Sequence, residues 1–343
     1  MQFLAQYGLF LAKTVTWVAA LLLLVAGIGS LLRSARQQTG NRLEIKNVNQ
    51  RLRELADGLN EELLDAADLK KLSSARKKQQ KLEEKRNKKA PPPPKPRVFV
   101  LDFDGDVQAS AVTSLREEIS ALLQVARDED EVLLRLESGG GLVHSYGLAS
   151  SQLVRLRQRR LKLTVAVDKI AASGGYMMAC VADQVIAAPF AIVGSIGVVA
   201  QIPNFNRLLR KHDIDLELHT AGEHKRTLTL FGENTEAGRA KFREEIQATH
   251  DLFKNFVAQN RPSLDLAKVA TGEHWFGTQA LDLKLIDKIA TSDDYLLGRT
   301  KDADVYELRY RRRRPLSERV GDSLTRLATS LRRGARSEML QPL

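Results

Sequence analysis

The alternation of apolar and polar stretches divides the chain into four parts. Thr14–Leu32 is a run of nineteen residues without a charge, close to the ~20 that cross a bilayer core as a helix. Trp17 near one end and Arg33 and Arg36 at the other suit anchoring at the two interfaces. The run exceeds the ~7–15 apolar residues of a cleaved leader, so residues 1–36 are expected to form an uncleaved membrane anchor. Apolar residues then recur at Ile45, Val48, Leu52, Leu55, Leu59 and Leu63, and steps of three and four predict one helical stripe. Lys70–Lys89 is mostly charged and predicts a solvated helix, which Pro91–Pro96 ends in a stiff spacer. Residues 37–97 thus read as a charged helical linker.

From Val98 the texture changes. VFVLDF predicts a strand, residues 114–126 a helix, EVLLRLES a strand, residues 145–160 a helix and Leu161–Val167 another strand. Strands alternating with helices of this length predict βα units around a mainly parallel sheet, an α/β core over 98–290. Residues 184–206 also lack charge, but Pro189, Gly194, Gly197 and Pro203 interrupt them. Buried strands and turns are expected there, not a second span. After Ala290 the pattern turns basic. Residues 309–315 are rich in arginine and lead into Leu316, Val320, Leu324, Leu327 and Leu331. That spacing predicts a basic amphipathic helix in a tail over 291–343, suited to a membrane surface or another subunit.

Composition adds little to the fold but something to the partners. The net charge of +11 on 343 residues is concentrated in 33–53, 70–89 and 309–336. Such clusters suit an anionic lipid surface or nucleic acid, and the adjoining anchor decides for membrane lipid. Cys180 is the single cysteine, so an intrachain disulfide is excluded. The six histidines form neither an HExxH pattern nor a Cys–His cluster; no metal or other cofactor is expected.

Candidate chemistry lies in four glycine-containing segments. LESGGGLV places Gly139, Gly140 and Gly141 between a strand and a helix, where backbone N–H groups can face a ligand. KIAASGGYMMACVAD puts Ser173 at a strand-to-helix junction, a position that suits an N-cap as well as a nucleophile. G-x-S-x-G is absent, which disfavours an α/β-hydrolase elbow. IVGSIGVV holds Ser195, and HTAGEHKRTLTLF holds Lys225, which on its own would read as a solvated loop lysine.

Together these segments resemble the S49 peptidase family, the signal peptide peptidase A group, and within it the SohB type. The resemblance covers roughly residues 98–290. It rests on S-G-G-Y-x-x-A at Ser173–Ala179, the A-D pair Ala182 and Asp183, G-S-x-G at Gly194–Gly197, and the order and spacing to Lys225. What it implies is a ClpP/crotonase-like superhelix of βα units and a serine endopeptidase without metal or nucleotide. Ser173 would be the nucleophile, Lys225 the general base and Ser195 the group orienting the lysine. Gly140 and Gly174 would supply the oxyanion N–H groups. Lys225 accepts a proton only when neutral, so burial would have to lower its pKa from about 10.4. The family's glycine turn commonly has proline where this chain has Gly139.

Substrates implied by the resemblance are peptides or membrane-associated segments, including remnant signal peptides. One copy of each motif implies a homo-oligomeric ring in place of the double-length relatives. The alternatives are a non-catalytic oligomeric membrane scaffold and a crotonase-like acyl-CoA enzyme. Arg33, Arg36, Arg42, Lys46 and Arg51 follow the apolar run and outnumber Lys13 and the amino terminus before it. The positive-inside rule therefore places the core on the cytoplasmic face of a bacterial inner membrane, with the periplasm as the alternative.

Overall fold

The structure is a computed structural model that describes residues 42–89 and 94–311, together with Lys13, Thr16 and Trp17. Apart from Thr16 and Trp17, the expected span at Thr14–Leu32 lies outside the described residues, as does the stripe from Leu316 to Leu331. Among the described residues no helix is long and apolar enough to cross a membrane.

The chain begins with β1 (Arg42–Asn47), α1 (Val48–Leu63) and α2 (Ala66–Lys89). It continues through β2 (Arg97–Gly105), α3 (Val112–Val125), β3 (Glu131–Ser138), α4 (Val143–Gln158) and β4 (Lys162–Val167). Then come β5 (Ile170–Ala172), α5 (Gly174–Ala179), β6 (Gln184–Ala187), β7 (Ile192–Gly194), α6 (Asn206–Lys211) and α7 (Glu236–Asn260). Past α7 follow β8 (His274–Phe276), β9 (Lys288–Ile289), α8 (Ser292–Arg299) and β10 (Asp304–Arg311). The molecule is a mixed α/β fold whose sheet runs β1-β10-β2-β3-β4-β6-β9.

The long strands β2 and β3 are nearly continuous apolar runs because both faces of the sheet are covered there. They pair in parallel from Val98↔Glu131 to Gly105↔Ser138, and β3 pairs in parallel with β4 from Glu131↔Lys162 to Arg135↔Ala166. At its carboxyl end β3 changes partner. Ser138 pairs with Ala171 of β5, β5 pairs with β7, and β7 carries β8 antiparallel at Val193↔Trp275. This fork brings the ends of β3, β5 and β7 side by side.

One compact unit comprises residues Glu44–Arg309, wider on both sides than the stretch 98–290 marked by the hydrophobic pattern. Val48 at the start of α1 shares a core with Val98, Val100, Leu133, Ile186 and Val305. β10 pairs in parallel with β2 from Asp304↔Arg97 to Glu307↔Val100. The helical stripe expected from Ile45 begins instead at Val48. Ile45 lies in β1, and the Asn47 side chain accepts the Gln50 N–H at 2.9 Å, capping α1 and setting the junction.

Candidate active site

Ser173 follows the last residue of β5 and precedes α5, with φ +52° and ψ −118°. That backbone lies outside the favoured regions for an L-residue, and such strain collects at functional positions. Its side chain makes no cap hydrogen bond to α5, so the serine is not there as a helix cap. The turn is held from outside: Ser173 N–H donates to Gly194 O at 2.8 Å, and Met177 N–H returns to Ser173 O at 2.9 Å. Ser173 remains half-buried, while Gly174 through Ala182 are buried behind it.

The glycine turn after β3 stands against this serine. Gly140 has φ +91°, and a Cβ there would lie 2.7 Å from Ser173 Cβ and 2.8 Å from Gly174 N. Only glycine allows both the conformation and the approach. Gly174 opens α5, so its N–H has no acceptor inside the helix, and none elsewhere among the described residues. Gly140 N–H is engaged, donating to Ser138 Oγ at 3.1 Å. Among the described residues Gly141 N–H makes no hydrogen bond. Gly141 lines a cavity of about 10 Å³ together with Ser173, Gly174, Met177, Thr249 and Phe253, room for about one water.

Ser195 reaches the same end of the sheet because Gly194 pairs with Ala172. Its N–H donates to Glu273 O at 2.7 Å, but its hydroxyl makes only a long 3.4 Å bond to Gly272 O. Among the described residues the Lys225 side chain makes no hydrogen bond to Ser173 or Ser195. Lys225 is exposed, and its backbone N–H closes a turn on Gly222 O at 3.2 Å. The described residues leave this side chain in solvent.

Cys180 is fully buried seven residues after the serine, and burial pushes its thiol up to about 12; it offers no competing thiolate. Among the described residues no group of three His, Cys, Asp or Glu is arranged to hold a metal ion. A wider groove of about 830 Å³ opens between α4 and α7, lined by Met177, Val198, Phe242, Leu252, Phe253 and Phe256. It shares Val143, Met177, Val198, Thr249 and Phe253 with the small cavity, so the apolar groove leads to Ser173.

Residues 2–153 match the sequence profile described as Peptidase family S49 N-terminal, and residues 155–306 match that of Peptidase family S49. Probable protease SohB of Haemophilus influenzae is 53% identical over 328 residues, 93% of this chain and 92% of that protein. The chain belongs to peptidase family S49. A provisionally named signal peptide peptidase SppA of Enterococcus faecium is 27% identical over 168 residues, 48% of each chain. A solved structure of a membrane-bound stomatin-specific protease, 14% identical, covers 62% of this chain and 97% of that one with a TM-score of 0.42. That last likeness is too distant to carry an argument.

As an S49 member the protein is a peptidase, which decides against the acyl-CoA alternative. Sequence reasoning did not single out Ser138 or Tyr146 of this S49 chain. Tyr146 OH donates to Asp106 O at 2.7 Å and lies 2.5 Å from Ser138 Oγ. Burial pushes its phenol above its ordinary value, so it stays protonated. The signal available was a tyrosine on the first turn of a helix that follows a glycine turn. The groove was also missed, because α4 and α7 supply its walls from nearly a hundred residues apart.

Proposed function

We propose that this S49 peptidase is a membrane-anchored serine endopeptidase in which Ser173 attacks the scissile carbonyl and Lys225 of a neighbouring protomer takes its proton. The observation that carries the reading is Ser173 itself, held at a strained junction beside an unpartnered Gly174 N–H. As Ser173 Oγ adds to the carbonyl carbon, its proton passes to neutral Lys225 Nζ and negative charge moves to the carbonyl oxygen. Gly174 N–H faces that charge. A second donor comes from the glycine turn, either Gly140 after leaving Ser138 or Gly141, each worth about 3 kcal/mol in the transition state. Collapse passes the lysine's proton to the leaving amine, and water then releases the acyl group. Ser195 holds the Lys225 amine, and its weakly held hydroxyl is free to turn for that purpose.

Completion between protomers is supported by the segment bearing Lys225. Residues 199–231 expose Val199, Phe205, Ile214, Leu216, Leu218 and Phe231. A second copy would bury these side chains and desolvate the lysine together, and a closed homo-oligomeric ring repeats the contact without free ends. The fork of the sheet fits a ClpP/crotonase-like superhelix. The apolar groove fits apolar peptide segments such as remnant signal peptides, and the uncharged run at Thr14–Leu32 supports an anchor in the inner membrane. The division into anchor, linker, core and tail, and a cytoplasmic core by the charge rule, complete the proposal.

A fluorophosphonate probe tests the chemistry. It should label wild type and not Ser173→Ala, and Ser173→Ala should remain folded but lose peptidase activity. An unlabelled wild type favours the scaffold reading, and an active Ser173→Ala variant removes the nucleophile.

A further inference from the structure

We propose that Tyr146 is the positioning residue of the oxyanion hole, setting the glycine turn through Ser138 and the Gly174 peptide through its ring. The inference rests on Ser173 being the nucleophile. Three consecutive glycines give a turn no stiffness of its own. Their amides become useful donors only if something outside the turn fixes the peptide planes.

The hydrogen-bond directions around Tyr146 supply that restraint. Tyr146 is fully buried near the start of α4. Its single hydroxyl hydrogen goes to Asp106 O at 2.7 Å, and a carbonyl can only accept. The 2.5 Å contact with Ser138 must therefore run from Ser138 Oγ to Tyr146 Oη. With its hydrogen so committed, Ser138 Oγ presents a lone pair to Gly140 N–H at 3.1 Å. The chain runs one way, from the Gly140 amide through Ser138 and Tyr146 to the Asp106 carbonyl. Its far end is held too, since the Asp106 carboxylate accepts from Ser110 N at 2.8 Å and from Ser110 Oγ at 2.6 Å.

Two consequences meet at the nucleophile. Fixing the Gly140 amide on Ser138 orients the peptide that follows it, which carries the unpartnered Gly141 N–H on the wall of the cavity at Ser173. The same tyrosine ring lies against the residue after the nucleophile: a Cβ at Gly174 would stand 2.4 Å from Tyr146 Cγ. One buried side chain thus touches both the end of β3, before the glycine turn, and the first residue of α5. It holds them in mutual register without touching substrate.

The experiment compares Tyr146→Phe, Ser138→Ala and their double variant, with Ser173→Ala as a control, on a chromogenic peptide. Tyr146→Phe keeps the ring and removes the hydroxyl. The expected result is a fall in kcat of about 10- to 100-fold with KM within about twofold. Concentrations are those of folded protein by near-UV circular dichroism, so a loss that merely reflected unfolding would not appear. Ser138→Ala should lose a similar factor and the double variant no more than either single, because both cut one chain. If Tyr146→Phe does not fold, Ser138→Ala decides alone. A folded Tyr146→Phe or Ser138→Ala variant with wild-type kcat, or losses that multiply in the double variant, overturns the positioning role while Ser173 stands. An active Ser173→Ala removes the nucleophile and the positioning role with it.

Discussion

The backbone at Ser173, φ +52° and ψ −118°, is expensive for any residue with a Cβ, by about 1–3 kcal/mol. Glycine would relieve it, less the ~0.5–1 kcal/mol of freedom that glycine gains in the unfolded chain. Ser173→Gly should therefore be about 1 kcal/mol more stable than Ser173→Ala, with both inactive. Urea unfolding of the two variants measures the difference; equal stabilities would mean that no strain is stored at the serine. The order of motifs along the chain was enough to single out Ser173, Ser195 and Lys225. It did not reveal the strain, which comes from bonds to Gly194 and from the close approach of Gly140, partners that only the folded sheet brings near.

At the scale of elements, β2 and β3 must start in register if Gly105 and Ser138 are to end level with Ala171, two residues before Ser173. Asp130 fixes that start. Its buried carboxylate accepts Arg97 Nε at 3.1 Å, Arg97 N at 3.2 Å and Arg127 N at 2.7 Å. Burial alone would raise the Asp130 pKa, but the Arg97 hydrogen bonds and charge hold it below the ordinary carboxylate value. A depressed folded pKa contributes stability above the unfolded pKa of about 3.9, lost as pH falls through the folded value. Asp130→Asn should cost about 2–3 kcal/mol at pH 7, and less below about pH 4. Denaturant midpoints at pH 7 and pH 3 test this; a pH-independent deficit would contradict it.

The long apolar strands were legible because both their faces are buried. β5, β7 and β8 are three residues each, too short to show a period, so the fork was invisible in the pattern. β10 was hidden by the arginines around it, although Val305 and Leu308 are buried. Ile45 fell in phase with a helix that starts at Val48, and only the cap at Asn47 separates strand from helix.

For the whole molecule the central relation is between Ser173 and Lys225, whose side chains share no hydrogen bond among the described residues. A ring in which each serine meets the neighbour's lysine reconciles an exposed Lys225, an apolar segment around it and a serine without a base. The direct test mixes inactive Ser173→Ala with inactive Lys225→Ala under conditions of subunit exchange, followed independently by fluorescence energy transfer between labelled chains. In an equal mixture about one site in four combines an intact serine with an intact neighbouring lysine. About a quarter of wild-type peptidase activity should return as exchange proceeds. No recovery despite full exchange would contradict a site shared between protomers.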